Sequence, residues 1–191
     1  MPLSPDSLSK DALVAQAVAT LRAANTIAGV RVYDPNTIPV QVTTFPALNV
    51  SAPSERKEAY GGPGGTPKFD STIALAVMAR VDGSGGSNEA RQQSAQTLLD
   101  QLASQVELAL LCAPAMLQIV QQFVFVESHG VVNAAGETFV GEATIIIGCQ
   151  VWQHYLPDAG APLTEFVTTI PASGSAPPVT IDSTIPPTSG P

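Results

Sequence analysis

Cysteine is scarce in this sequence, which contains only Cys112 and Cys149. Two cysteines are too few for the disulfide scaffold of a small secreted domain, and neither stands at the spacing of a metal ligand. No apolar run approaches the roughly 20 residues that cross a bilayer, and residues 1–6 lack the cationic start and apolar core of a signal peptide. We therefore expect a chain made in the reducing cytoplasm, with no membrane partner.

Charge is also scarce, and it is unevenly placed along the chain. Charged residues make up 13% of the sequence, and no basic residue follows Arg91. Residues 1–91 hold eight basic and eight acidic residues, whereas residues 92–191 hold eight acids and carry the whole net charge of −8. A protein that binds nucleic acid or anionic lipid needs a basic surface, so both partners are disfavoured. The acidic half fits either plain solubility or a surface that repels polyanions or meets a basic neighbour.

Two segments have the periodicity of helices. Apolar residues make up 45% of the 191 residues, enough for one domain with a sizeable core. Residues 7–25 carry an alanine-rich pattern at helical spacing, with Asp6 or Ser7 as the N-cap. Its shared face consists of Leu8, Ala12, Ala15, Ala19 and Ala23, with Leu13, Val14, Val18 and Leu21 nearby. Residues 88–111 follow a suitable N-cap at Ser87. We expect the stripe of this second helix to face the core; it consists of Ala95, Leu98, Leu99, Leu102, Val106, Ala109 and Leu110.

The other apolar segments are typical of strands, because they are rich in β-branched residues or alternate in polarity. They predict an α+β fold, with a mainly antiparallel or mixed β-sheet of four to five strands and two principal helices packed on it. The predicted strands are residues 30–33, 40–50, 72–81, 117–127 and 138–152.

The connections between these strands are predicted from glycine and proline. Residues 53–69 are rich in both, and we expect a mobile loop there. His129 and Gly130 predict a turn, and the residues around Gly136 predict a long hairpin loop before the last strand. Gly148 inside that strand predicts a bulge.

The composition changes near the end of the chain, which predicts a domain at residues 1–155 followed by an arm at residues 156–191. The arm holds eight prolines, three acids and no base, a composition typical of an extended segment. It also holds apolar residues such as Phe166, Ile170 and Ile181, which a purely solvating tail tends to lack. We expect it to lie along a neighbouring subunit, with a floppy tail as the alternative.

Patterns that superficially match catalytic motifs fail in detail. Residues 61–68 lack the last glycine and the following helix of a phosphate-binding loop. Residues 82–86 transpose the first two residues of the serine-protease run Gly-Asp-Ser-Gly-Gly. His129 and His154 have no second ligand at metal spacing. We therefore expect no catalytic site, no cofactor and no metal.

Four segments, in their order along the chain, carry a resemblance to a known family. They are TFPALNV at residues 44–50, IALAV at 73–77, LLDQLASQVE at 98–107 and GEATI at 141–145. With them the chain resembles the tail terminator, or tail-completion, proteins of long-tailed bacteriophages, the group that includes the lambda tail terminator. The resemblance covers about residues 5–155 and leaves the arm outside.

This resemblance implies a structural virion protein of the tail or neck. Its copies would form a six-membered ring that caps the tail tube, ends tube polymerisation and meets the head–tail connector. DNA would pass through the channel without specific binding. The resemblance places Arg56, Lys57, Tyr60 and Lys68 against the tube or a ring neighbour. Other interface candidates are Glu142, Trp152, Phe166, Ile170 and Ile181.

Alternatives stay open at this point. A different neck or connector protein, or a tube subunit, would share the same general properties. A cytosolic domain that binds a small ligand would instead show a pocket with convergent polar groups, and a hydrolase would depend on His129 or His154. Glu142 fits a solvated face, a sheet edge or an interface, and Trp152 fits either the core or an interface.

Overall fold

The computed structural model describes residues 9–37, 44–60, 68–135, 138–154, 165–170 and 179–184. The chain divides into two compact units, a main unit that ends at Leu156 and a C-terminal unit, Pro157–Pro191. The helices of the main unit are α1 (Lys10–Ala23), α2 (Asn88–Leu111) and α3 (Pro114–Leu117). Its strands are β1 (Val32–Tyr33), β2 (Ala47–Ala59), β3 (Lys68–Asp82), β4 (Gln122–Ala135) and β5 (Thr138–His154).

The main unit is built on one five-stranded sheet. The strand order is β1-β2-β3-β5-β4, and every neighbouring pair is antiparallel except the short parallel pair β1–β2. Helix α2 packs on β3 and β5, and α1 packs on β2. The predicted α+β class, with a mixed sheet and two principal helices, is confirmed.

The core lies between the helices and one face of the sheet, which we call the inner face. Alternate residues of β3 are buried from Ser71 to Val81, and alternate residues of β5 are buried from Ala143 to Gln153. Such two-residue periodicity places one set of side chains against the helices and leaves the other set on the opposite, outer face. In the sequence of β5, alternation predicts one face for Glu142, Thr144, Ile146 and Gln150, and the opposite face for Ala143, Ile145, Ile147, Cys149 and Val151. This division is confirmed, because the second set is buried against the helices.

Helix α2 agrees with the sequence prediction at both ends. The hydroxyl of Ser87 accepts a hydrogen bond from the Ala90 amide at 3.2 Å, which satisfies one unpaired donor of the first turn. The predicted stripe faces the core: Leu98 and Ala109 are partly buried, and the fully buried members are Ala95, Leu99, Leu102, Val106 and Leu110.

Helix α1 differs from the prediction in its cap, and only the larger apolar residues of its predicted pattern are buried. Its N-cap is Ser9, whose hydroxyl accepts from the Ala12 amide at 3.2 Å; Asp6 and Ser7 lie outside the described residues. The helix turns its larger side chains inward because burying Leu or Val removes more apolar area from water than burying Ala. The predicted alanine stripe, Ala12, Ala15, Ala19 and Ala23, is therefore exposed, whereas Leu13, Val14, Ala17, Val18 and Leu21 are buried.

The predicted mobile loop at residues 53–69 is largely wrong. Strand β2 continues through Pro53 to Ala59, and β3 already begins at Lys68. The pairing of the two strands shifts between Ser51 and Ser54, and this bulge accommodates a proline that has no amide hydrogen to donate. Residues 61–67 lie outside the described residues.

The predictions around β4 are also corrected. His129 and Gly130 do not form a turn, because β4 runs without interruption to Ala135. Ala135 pairs with Thr138, so only two residues separate the strands rather than a long loop. The bulge lies in β4 and not at Gly148: Phe123 pairs with Cys149 and Phe125 with Gly148, which leaves Val124 as the extra residue.

The C-terminal unit contains two described strands, β6 (Glu165–Ile170) and β7 (Val179–Thr184). They pair antiparallel along their whole length, with Glu165 opposite Thr184 and Ile170 opposite Val179. The interface candidates Phe166, Ile170 and Ile181 belong to this hairpin.

Candidate assembly surface

The outer face of the sheet carries two of the predicted interface residues. Trp152 lies on β5 opposite Asp70 of β3 and is 56% exposed, which excludes the core interpretation for its side chain. Glu142 lies on the same face, opposite Arg80. The side chains of Arg80 and Glu142 form an ion pair, with Nε of Arg80 2.9 Å from Oε1 of Glu142, and both side chains are partly exposed. Arg80 on the neighbouring strand therefore explains why a carboxylate lies on an apolar strand. The sequence alone does not reveal this pair, because the pair depends on the register between β3 and β5.

The residues implied by the resemblance lie near each other where β2 ends and β3 begins. Arg56 is exposed and pairs with Glu58 at 2.8 Å. The amide of Tyr60 donates to the Lys68 carbonyl at 2.9 Å, and the Tyr60 side chain is 60% exposed. These groups, together with Lys57, are therefore positioned by a regular strand pair and not by a loop.

A polar cluster lies on the inner face at the same end of the sheet. One oxygen of Glu55 accepts hydrogen bonds from the Ser71 hydroxyl at 2.7 Å and from the Gln153 amide at 2.8 Å, and Lys57 lies 3.4 Å from it. Ser71 and Gln153 are buried. Burial acts to raise the pKa of Glu55, but the two hydrogen bonds and the Lys57 charge hold that pKa below its usual value.

This cluster joins three strands of the sheet, and the ionised carboxylate of Glu55 does not suit a general acid. Its carboxylate is kept ionised, whereas a catalytic acid at neutral pH needs a raised pKa. Sequence analysis did not single out Glu55. The available signal was the pair of polar residues, Ser71 and Gln153, at inward positions of two otherwise apolar strand faces.

Strand β4 forms one edge of the sheet and exposes apolar side chains. Its sequence, QFVFVESHGVVNAA, contains one carboxylate and neither lysine nor proline, the residues that usually protect an edge. Four of its apolar residues are more than a third exposed: Val124, Phe125, Val126 and Val131. The opposite edge, β1, is only two residues long.

A cleft of about 470 Å³ opens on the outer face, between the bulged parts of β2 and β4. Arg56 and Glu58 at its rim neutralise one another, and Asp70, Phe125 and Gln150 are among its other lining residues. Its volume falls in the range of small-molecule sites. The cleft therefore provides a specific test of the ligand-binding alternative.

The remaining candidate groups do not line this cleft. His129 is exposed on β4, and His154 is the last residue of β5. Cys112 and Cys149 are free thiols; burial raises the pKa of Cys149 to about 12. Within the described ranges, no three or more His, Cys, Asp or Glu side chains are grouped to hold a metal ion, and no helix is long and apolar enough to cross a membrane.

No protein-family model and no curated protein sequence matches this chain. Among solved structures, it is similar to a chain of the "Virion of native gene transfer agent (GTA) particle". The likeness covers 76% of this chain and 99% of that chain, with 12% sequence identity and a TM-score of 0.41. A TM-score below 0.5 does not establish a shared fold, so nothing about function follows from it.

Proposed function

We propose that this chain is a structural virion protein that caps the tail tube of a long-tailed bacteriophage. Its copies form a ring, six-membered as the family resemblance implies, that ends tube polymerisation and joins the tube to the head–tail connector. No catalytic residue or cofactor takes part. The observation that carries the proposal is the edge strand β4, which presents apolar side chains without a protecting lysine or proline.

An exposed apolar edge is unfavourable for a solitary protein, because its free backbone groups pair readily with another chain. Covering this edge in an assembly also accounts for a sequence with only 13% charged residues. The four segments that resemble tail terminators fall on β2, β3, α2 and β5 or directly beside them, so they lie in the elements that build the sheet and its principal helix.

The tail tube, the connector and passing DNA are the proposed partners. Arg56, Tyr60 and Lys68 project from the ends of β2 and β3, where they are exposed for contact with the tube or a neighbouring subunit. The acidic C-terminal half of the sequence fits a channel that DNA crosses without binding, since like charges repel. Placing several lysines on the β4–β5 hairpin should then slow DNA passage and reduce infectivity.

The deciding experiment is light scattering on the purified chain over a wide concentration range, followed by its addition to growing tail tubes. We expect a closed species of about six 19.7 kDa chains that does not elongate, and tubes that stop growing when it is added. Open-ended polymers would identify a tube subunit instead. A monomer that neither assembles nor binds tubes would contradict the proposal, and a small molecule bound in the cleft would favour the ligand-binding alternative.

A further inference from the structure

One edge of β4 pairs with no other strand among the described residues, and this edge has a regular stretch. The bulge at Val124 interrupts the ladder near the start of the strand, and pairing with β5 is continuous from Phe125 to Ala135. Within this stretch, Val126 is 39% exposed and Val131 is 56% exposed, and residues 126–131 form a segment of six residues. A strand of six residues is about 20 Å long, so this edge can pair with an incoming strand of that length.

The hairpin of β6 and β7 would gain stability from pairing with a further strand. Each of its strands is six residues long, and the described part of the C-terminal unit holds just these two strands. A two-stranded hairpin is marginally stable in water, and a third strand makes such a sheet stable. The sequences EFVTTI and VTIDST are rich in β-branched residues and contain no proline, glycine or lysine, so either strand can pair with another edge.

We propose that the β6–β7 hairpin of one copy adds to the β4 edge of a second copy, so that the sheet continues from five strands to seven across the interface. Backbone hydrogen bonds along about six residues would give the affinity, as in other cases of strand addition. This inference rests on the proposed function in one respect: the contact is the one that joins neighbours in the ring.

The contact is of the type that a ring requires. It joins two different surfaces, an edge strand and a hairpin, and such a head-to-tail contact closes into a ring when its rotation allows. Pairing of β4 with β4 of a second copy would instead be two-fold symmetric and would stop at a dimer. It would also leave every hairpin without a third strand.

Cross-linking between singly substituted full-length chains tests the contact. Cys112→Ser removes the exposed native thiol, and Cys149 is buried. One chain then carries His129→Cys or Val131→Cys in β4, and the other carries Thr168→Cys in β6 or Thr180→Cys in β7. Equal amounts of the two chains are mixed, left to exchange subunits and treated with a short bis-maleimide. Because each chain carries only one of the two engineered cysteines, every mixed dimer joins two copies.

We expect mixed dimers from a β4 cysteine with at least one of the two hairpin strands. Their yield should exceed by about tenfold or more that of a control pair with Val30→Cys, because groups held in one interface have millimolar effective concentrations. Val30 is a suitable control because it is 82% exposed and lies outside the sheet.

Each other result overturns the inference. Dimers formed by a β4 cysteine alone would show β4–β4 pairing, and a cross-link within one chain that carries both cysteines would show that the hairpin binds its own copy. Light scattering on the same samples separates this inference from the proposed function. A closed ring without the mixed cross-link contradicts only the inference, whereas the cross-link in an open-ended polymer contradicts only the ring.

Discussion

The phenyl ring of Phe125 lies over Gly148 on the outer face of the sheet, in the space where any other residue would place its Cβ. A methyl group added at Gly148 would lie 2.6 Å from Cδ1 of that ring. The bulge at Val124 shifts β4 so that Phe125, rather than its neighbour, stands opposite Gly148. The bulge in one strand and the glycine in the next therefore form a single packing arrangement.

Gly148→Ala should lower the free energy of unfolding by about 1 to 3 kcal/mol, because the added methyl overlaps the ring and forces it to move. Chemical denaturation measures the loss. The same substitution in a Phe125→Ala background should cost less, and the difference in a double-mutant cycle gives the coupling between the two residues.

Gly86→Ala is the matched control, since nothing lies within 4 Å of a Cβ added there. Its effect should stay within about 0.5 kcal/mol. Equal losses for Gly148→Ala with and without Phe125 would contradict the packing explanation.

Glu55→Gln should change how stability depends on pH. The folded-state pKa of Glu55 is depressed, so its contribution is present above the unfolded pKa of about 4.3 and is lost as the pH falls through the folded pKa. The difference in unfolding free energy between the native chain and the variant should therefore be largest near neutral pH and shrink in acid.

Gln153→Ala provides a second variant for the same cluster, because it removes one of the two hydrogen bonds to the Glu55 carboxylate. It should retain part of the acid dependence, because the Ser71 hydrogen bond to the carboxylate remains. A difference between the native chain and Glu55→Gln that stays constant from pH 7 to pH 3 would argue against this role of the carboxylate.

Ser87→Ala should destabilise the chain by about 0.5 to 2 kcal/mol, since it removes the side-chain oxygen that caps α2. Thermal and urea unfolding both report the change. Ser104→Ala is the control on the same helix: its hydroxyl donates to the Asp100 carbonyl in the helix interior, where alanine has the higher helix propensity. If the two variants lose the same stability, the cap is not the cause.

One thiol of the native chain should react with a maleimide or an aromatic disulfide reagent. Cys112 is exposed, whereas Cys149 is buried and its pKa is raised to about 12, so that it stays protonated and inaccessible. Mass spectrometry should find one label on the native chain and two after unfolding. Cys112→Ser should remove the native label; fast labelling of that variant would show that β5 is open to solvent.

Val131→Lys should weaken assembly, because it places a charge on the exposed apolar edge. Its effect on the unfolding of the single chain should be small, since the side chain is more than half exposed. Sedimentation measures the shift toward smaller species. Val30→Lys, at a more exposed apolar position outside the sheet, should leave assembly unchanged.

The sequence predicted those elements whose signals are local. Helix α2 has an N-cap at Ser87, a regular apolar stripe and Pro114 beyond its end, and all three signals agree. The face assignment of β5 also follows from alternation alone. In α1 the predicted pattern contains both the exposed alanines and the buried leucines and valines, because periodicity does not weigh the size of the side chains.

The rest depends on contacts between distant parts of the chain. Residues 53–59 have the composition of a loop, yet pairing with β3 makes them a strand and a bulge absorbs Pro53. The Glu55 cluster joins three strands, and the position of Phe125 over Gly148 depends on a one-residue shift between β4 and β5. Register of this kind cannot be read from composition or periodicity.

The difference between the two thiols gives the chain a built-in labelling position. Cys112 directly follows α2, and a maleimide dye attached there leaves the β4 edge unmodified. Each native subunit then carries one fluorophore without any engineered residue. Stepwise photobleaching of single particles therefore counts the copies in an assembly, and energy transfer between two dyes reports the spacing of neighbouring copies.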